Sequence, residues 1–242
     1  MNVVPSTDAP PSPVGAAVNT VRLFGFHHAG GGPSAFAGWR YALGGAVDVV
    51  PVVVPGGGHH DFASLVERLA DELAPRLDEP HVFYGHSMGA LVAYRLTRLR
   101  EGRGQRLPDR LLLGAFAAPH LAHPISRARN LTDTELEAWL LSVADLPAAL
   151  LGGAGRRAAM LAKLREDLRL CATHREDPAA PLPVPIDVFA GTADPLVPLA
   201  DARAWAAYSG AGAGFHPVPG GHFFPRESKS VFFGQLRAIL GN

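Results

Sequence analysis

The chain has 242 residues, which suits one large domain or two small ones, and 48% of them are hydrophobic, enough for a substantial core. It carries 22 basic and 22 acidic residues, so its formal net charge is zero. This balance argues against a nucleic-acid partner, because such proteins usually have a basic excess. The single cysteine, Cys171, excludes an internal disulfide.

The first residues, MNVVPSTDAPPSPVGAAVNT, contain no basic segment followed by a long apolar run, so no secretory signal is predicted. No stretch reaches the ~18 continuous apolar residues of a membrane span. We therefore expect a cytoplasmic protein with no membrane partner. Residues 1–18 are rich in Pro, Ser and Ala and are predicted to form a flexible tail ahead of one domain over residues 19–242.

Short apolar runs bounded by glycine or proline predict six buried strands along the chain. They are VRLFGF (21–26), VDVVPVVVP (47–55), HVFY (81–84), RLLLGAFA (110–117), IDVFAG (186–191) and GFHPV (214–218). Such runs are typical of a parallel sheet covered on both faces. Helix-like stretches over 61–77, 88–100 and 230–240 alternate with them. The alternation predicts an α/β fold with a mostly parallel, doubly wound sheet.

One region, residues 124 to 176, contains no good strand and is predicted to be a helical insertion. Thr132 and Glu135 form a capping-box pattern before an apolar helix. A later helix carries an apolar stripe made of Met160, Leu161, Leu164, Leu168 and Cys171. Because loops at the carboxyl ends of strands border the binding crevice of open α/β sheets, we interpret the insertion as a lid. The alternative is a set of extra core helices.

The stretch YGHSMGA (84–90) contains the pattern G-x-S-x-G between a predicted strand and a predicted helix. In this context the serine sits on a sharp strand-to-helix turn with its hydroxyl exposed. Ser87 is therefore the candidate nucleophile, and a helix N-terminus beside it favours negative charge. The alternative is a tight structural turn that holds an ordinary serine.

A serine nucleophile needs a base, and a base needs a carboxylate that orients it. His222, in VPGGHFF after the last strand, is the candidate base, and Asp194, in AGTADPLVP after the preceding strand, is the candidate acid. The order Ser, Asp, His is that of the α/β-hydrolases. Asp194 is alternatively a helix cap or turn residue. Asp201 is a second choice of acid, and Asp187, inside a strand, is a weaker one.

The loop after the first strand belongs to the segment GFHHAGGGPSAF (25–36). In α/β-hydrolases this loop supplies one backbone N–H of the oxyanion hole, and the residue after the nucleophile supplies the other. The predicted donors are the N–H groups of Ala29 and Met88. Phosphate binding is less favoured because the chain lacks a P-loop pattern. Metal binding is less favoured because the paired histidines, here and in GGGHHD (56–61), lack ligands at suitable spacing.

Taken together, these motifs resemble the type II thioesterases of polyketide and nonribosomal peptide assembly lines. The resemblance covers nearly the whole chain from about residue 20, and GHSMGA and GGHFF are specific to that family. Two positions depart from the family pattern. His27 stands where proline is usual, and Gly57 stands where arginine is usual. Both lie beside the predicted mouth of the site, so substrate preference is expected to differ.

The resemblance implies an α/β-hydrolase fold with a helical lid. It also implies hydrolysis of acyl groups from the phosphopantetheine arm of an acyl or peptidyl carrier protein, with no metal or cofactor. The usual role is editing, which is the removal of aberrant or stalled acyl chains. We predict that His28, Gly30, His86 and Phe223 bind the substrate. Basic residues near the lid are candidates for meeting an acidic carrier protein: Arg127, Arg129, Arg156, Arg157 and Lys163. A product-releasing thioesterase, a general carboxylesterase and a non-catalytic binding module remain alternatives.

Overall fold

A computed structural model describes residues 20–55, 58–121, 128, 130–144, 153–176 and 180–241. The predicted tail and Gly57 lie outside these ranges. Six strands form one sheet in the order β2-β1-β3-β4-β5-β6, and every neighbouring pair is parallel. The strands are β1 (Val21–Phe26), β2 (Val47–Val52), β3 (Val82–His86), β4 (Arg110–Gly114), β5 (Ile186–Gly191) and β6 (Ala213–Val218). The predicted parallel sheet is confirmed.

Three strands end at residues other than those predicted, and the starts of β3 and β6 each differ by one residue. Strand β2 ends at Val52, which pairs with the last residue of β1, so the chain beyond it has no partner strand. Strand β4 ends at Gly114 because Ala115 adopts a φ of 55°, outside the extended region. Strand β3 continues to His86, which pairs with Gly114 of β4. This extension carries β3 directly into the turn at Ser87.

Helices cover both faces of the sheet, as the doubly wound prediction requires. In the described ranges they are α1 (Trp39–Leu43), α2 (Phe62–Leu73), α3 (Met88–Gly102), α4 (Asp133–Ala144), α5 (Ala154–Cys171), α6 (Leu199–Arg203), α7 (Phe224–Glu227) and α8 (Lys229–Leu240). Short 3₁₀ helices span Pro33–Phe36, Ala74–Arg76 and Ala204–Tyr208. None of the described helices is both long and apolar enough to cross a bilayer.

The strand residues alternate between two cores, one on each face of the sheet. In β3, Phe83 packs into the core that contains α2, α3 and α5. Its neighbours Val82 and Tyr84 pack into the opposite core, which contains α1 and α8. Because both faces are buried, the strands read as continuous apolar runs, which explains why they were visible in the sequence.

Helices α4 and α5 occupy the predicted lid region, whose described residues contain no strand. Thr132 accepts the N–H of Glu135 at 3.3 Å, and the Glu135 carboxylate accepts the N–H of Thr132 at 2.8 Å, as in a capping box. The apolar stripe of α5 is buried, with Met160 partly so. The lid function of these helices stays a prediction.

Candidate active site

Ser87 lies between β3 and α3 with φ 54° and ψ −122°, a conformation that costs about 1–3 kcal/mol for a residue other than glycine. The turn is crowded on both sides. A Cβ atom on Gly85 would collide with the carbonyl oxygen of Gly89, and one on Gly89 would collide with that of Phe26. The Ser87 N–H donates to the Gly114 carbonyl at 2.8 Å. The two motif glycines therefore permit the strained turn that presents the serine.

Ser87, His222 and Asp194 form one hydrogen-bonded chain. The Ser87 hydroxyl donates to Nε2 of His222 at 3.0 Å, and Nδ1–H of His222 donates to Oδ2 of Asp194 at 2.9 Å. The side chains of His222 and Asp194 are 4% and 0% exposed. This geometry lets His222 accept the serine proton while Asp194 fixes its tautomer.

Asp194 makes the contacts that both of its interpretations require. Its Oδ1 atom accepts the N–H groups of Leu196 and Val197 at 2.8 and 3.3 Å, as a turn residue does. Its Oδ2 atom remains for His222. Asp187, the weakest candidate acid, instead binds His216 and Arg110.

His86 holds the loop that carries His222. Its Nε2–H donates to the carbonyl of His222 at 2.8 Å, and its Nδ1 accepts the Tyr84 hydroxyl at 3.1 Å. Burial, and then the neighbouring His222, lower the pKa of His86 well below its usual value, so the ring is neutral at pH 7. Both ring nitrogens are thus engaged within the protein, and the predicted substrate-binding role of His86 stays a prediction.

The predicted oxyanion donors are Ala29, in the loop after β1, and Met88, the first residue of α3, and Ala29 lines the same cavity as Ser87. Within the described ranges, neither N–H group donates to a protein acceptor. The Ala29 carbonyl is held by Nδ1–H of His28 at 2.9 Å. Burial lowers the pKa of His28 to about 4, so this ring is also neutral at pH 7.

A narrow cavity of about 20 Å³ lies beside Ser87. Apolar side chains surround it, mostly from helices α4 and α5: Trp139, Leu140, Val143, Leu164, Leu168 and Leu196. A second cavity of about 590 Å³ lies between the loop after β1 and helices α7 and α8, with Arg226 and Lys229 on its wall. His28 and Phe223 line both cavities and pack edge to face at 4.9 Å. These two predicted substrate residues therefore separate the larger space from the serine.

Gly30, the remaining predicted substrate residue, directs its N–H to the buried carboxylate of Asp167 at 2.8 Å. The sequence prediction missed Asp167. One signal was available, because this acid lies within the apolar stripe of α5, directly before Leu168. His27, which replaces the usual proline, is buried and donates from Nδ1 to the carbonyl of His28 at 2.9 Å.

The remaining predictions concern metal binding, the second histidine pair and the basic residues of the predicted lid region. No cluster of three or more His, Cys, Asp or Glu side chains in the described ranges is arranged to hold a metal ion. Asp61, next to the second histidine pair, caps α2 by accepting the Ser64 N–H at 2.9 Å. Among the basic residues of the predicted lid region, Arg157 pairs with Glu137 at 3.0 Å and Lys163 with Asp167 at 2.8 Å. Arg127 and Arg129 lie outside the described residues, and Arg156 is exposed.

Comparison with known proteins agrees with this architecture. A family model for the thioesterase domain matches residues 21–240. The chain is 30% identical to a protein of Brevibacillus parabrevis named linear gramicidin dehydrogenase LgrE, over 95% of this chain and 89% of LgrE. LgrE is named a dehydrogenase, but the dinucleotide-binding pattern G-x-G-x-x-G does not follow β1 in this chain.

Solved structures of thioesterases also resemble this chain. RedJ, a thioesterase from the prodiginine biosynthetic pathway of Streptomyces coelicolor, superposes with a TM-score of 0.84 at 33% identity, covering 98% of this chain and 96% of RedJ. BorB, a type II thioesterase from the borrelidin biosynthetic cluster, superposes with a TM-score of 0.80 at 28% identity, covering 94% of each chain. The chain is thus an enzyme of the α/β-hydrolase fold and belongs to the thioesterase domain family.

Proposed function

We propose that this enzyme hydrolyses acyl thioesters borne by the phosphopantetheine arm of carrier proteins, with Ser87 as nucleophile, His222 as base and Asp194 as orienting acid. The observation that carries the proposal is the continuous hydrogen-bonded chain from Ser87 through His222 to Asp194. Its position beneath apolar lid helices supports an acyl substrate.

In the first step, Ser87 Oγ bonds to the thioester carbonyl carbon while its proton passes to Nε2 of His222. The carbonyl oxygen becomes an oxyanion between the N–H groups of Ala29 and Met88, and each such donor contributes roughly 10²–10³ in rate. When the carbon–sulfur bond breaks, the thiolate leaves and takes the proton from His222. The acyl group is then an ester of Ser87.

In the second step, water attacks this ester while His222 takes one of its protons. The oxyanion forms in the same place, and its collapse breaks the bond to Ser87 Oγ. His222 returns the proton to the serine, and the free acid departs. Apart from the substrate and water, every group that acts in these steps is a side chain or a backbone N–H described above.

The two cavities support a substrate size and a partner for this reaction. A cavity of about 20 Å³ beside Ser87 suits short acyl groups unless the lid helices move, which supports a role in editing rather than in release of long products. The larger cavity bears Arg226 and Lys229, and no acidic residue is among the described residues that line it. This charge pattern suits the phosphate of the arm. RedJ and BorB come from pathways of natural-product synthesis, which supports a carrier-protein partner.

The test is intact-protein mass spectrometry of carrier proteins loaded with acetyl, propionyl and a long polyketide-like chain. The wild type is compared with Ser87→Ala. We expect the wild type to unload the short chains and Ser87→Ala to unload none, while both unfold at the same temperature. Turnover by Ser87→Ala at the wild-type rate would refute the assignment.

Preference for the long chain alone would identify a product-releasing enzyme instead. Hydrolysis of simple esters without unloading of any carrier would identify a carboxylesterase.

A further inference from the structure

The loop of residues 27–31, called the oxyanion loop below, is held by side chains at two successive peptide units. The first unit joins the His28 carbonyl to the Ala29 N–H. Its carbonyl accepts Nδ1–H of His27 at 2.9 Å and the Gly31 N–H at 3.0 Å. Because a peptide unit is planar, fixing the carbonyl also fixes the direction of the Ala29 N–H.

The next unit joins the Ala29 carbonyl to the Gly30 N–H, and it is held at both ends. The carbonyl accepts Nδ1–H of His28 at 2.9 Å. The N–H donates to Oδ2 of Asp167, which lies 137 residues later in helix α5 of the lid. The hydrogen bond to Asp167 thus links the lid to the proposed oxyanion hole.

To make this contact, the Asp167 carboxylate has to be buried, and its burial costs free energy. It is 1% exposed, and burial of a carboxylate is unfavourable unless it is paired. The same Oδ2 atom accepts Nζ of Lys163 at 2.8 Å, one turn earlier in α5. The helix also fits the loop closely, since a Cβ on Gly30 would lie 3.1 Å from Cβ of Leu164. The lid helix and the loop therefore form one packed unit.

We propose that Asp167 is a positioning residue for the oxyanion loop, and that the oxyanion hole is complete only while helix α5 is seated on Gly30. This inference rests on the proposed function. It couples the lid to chemistry, because displacement of α5 frees one end of the peptide unit that directly follows the one bearing the Ala29 N–H, and so loosens the loop on that side. His27 supports the same loop from the side of β1.

The experiment compares wild type, Asp167→Ala and Asp167→Asn in the hydrolysis of a short acyl thioester. Loss of the acceptor loosens a group used mainly in the transition state, so Asp167→Ala is expected to lower kcat by about 10- to 100-fold with KM changed less than about twofold. Asparagine keeps an oxygen that accepts the Gly30 N–H, so Asp167→Asn is expected to stay within about threefold of wild type.

A trifluoromethyl ketone analogue of the substrate provides a second readout, since it forms a tetrahedral oxyanion on the serine. Its affinity for Asp167→Ala is expected to fall by the same factor as kcat. His27→Phe, which keeps a ring but removes the donor to the His28 carbonyl, is expected to change both quantities in the same direction.

Glu166→Gln is the matched control. It removes a charge from the same helix, where Glu166 pairs with Arg169 at 2.8 Å, and is expected to leave kcat unchanged. Thermal unfolding establishes that each variant is folded. A folded Asp167→Ala with wild-type kcat would overturn the inference, and so would a loss of kcat with unchanged affinity for the ketone. A wild type without thioesterase activity would instead contradict the proposed function itself.

Discussion

Two Asp–His pairs are associated with strands β5 and β6. One pair lies within the strands, and the other lies in the loops that follow them. Asp187 and His216 lie within the strands, with Oδ1 and Nε2 2.6 Å apart. Asp194 and His222 lie in the loops after the same strands, with Oδ2 and Nδ1 2.9 Å apart. The two pairs thus have the same chemistry but different neighbours.

The neighbours decide what each pair does. His222 has a second nitrogen directed to Ser87, and its side chain is 4% exposed. His216 is 24% exposed and stacks on Phe189, and the partner carboxylate also binds Arg110. Within a strand, a pair of this kind joins two neighbouring strands. At the carboxyl ends of parallel strands it meets the turn that carries the nucleophile, where binding crevices form.

The largest expected difference between the pairs is catalytic. Asp194→Asn is expected to lower kcat by roughly 10⁴, because asparagine stabilises the wrong tautomer of His222. Asp187→Asn is the matched control and is expected to keep kcat within about twofold of wild type. Steady-state hydrolysis of a short acyl thioester measures both. A loss of tenfold or less in Asp194→Asn would point to another acid.

A smaller effect is expected where the loop of His222 is anchored. His86→Phe removes the hydrogen bond to the His222 carbonyl and is expected to lower kcat by about 10- to 100-fold with little change in KM. Tyr84→Phe removes only the hydroxyl that orients His86 and is expected to cost less. Equal KM and kcat for His86→Phe and wild type would show that the anchor has no bearing on the reaction.

The pair inside the strands is expected to affect stability instead of rate. Asp187→Asn weakens the links to His216 and Arg110, and because both partners are partly exposed we expect a loss of about 1–3 kcal/mol. Urea denaturation at pH 7 measures the change in the free energy of unfolding. No measurable loss would mean that the pair contributes nothing to joining β5 and β6.

The difference in the free energy of unfolding between wild type and Asp187→Asn is expected to depend on pH. Burial alone raises the pKa of Asp187, but the hydrogen bonds from His216 and Arg110 more than offset it, so the pKa lies below its usual value. A lowered pKa in the folded state stabilises the protein above the unfolded value of about 3.9, and this contribution is lost as the pH falls through the folded pKa. The gap between wild type and Asp187→Asn is therefore expected to shrink below about pH 4. A constant gap from pH 7 to pH 3 would contradict this account.

Much of the fold was predictable because it depends on local patterns. The strands are apolar runs buried on both faces, and the turn at Ser87 needs glycine at two positions near it in the sequence. The choice of Asp194 over Asp187 as candidate acid followed from its place after the strand. These signals lie within a few residues of the feature that they predict.

The contacts that hold the site were not predictable in the same way. His86 meets the carbonyl of His222 across 136 residues, and Gly30 meets Asp167 across 137. Such contacts depend on how separate elements pack, and no local pattern specifies the partner. His27 could be recognised as unusual from the family pattern, but its hydrogen bond to the next carbonyl depends on the fold of the loop.

The central claim, that Ser87 carries the acyl group, is tested most directly by trapping that intermediate. A propionyl-loaded carrier protein is mixed with wild type and with Ser87→Ala, quenched in acid within milliseconds, digested and examined by mass spectrometry. We expect a propionyl adduct on the peptide that contains Ser87 in the wild type and no adduct in Ser87→Ala. Turnover without an adduct on Ser87, or an adduct on another residue that persists in Ser87→Ala, would contradict it.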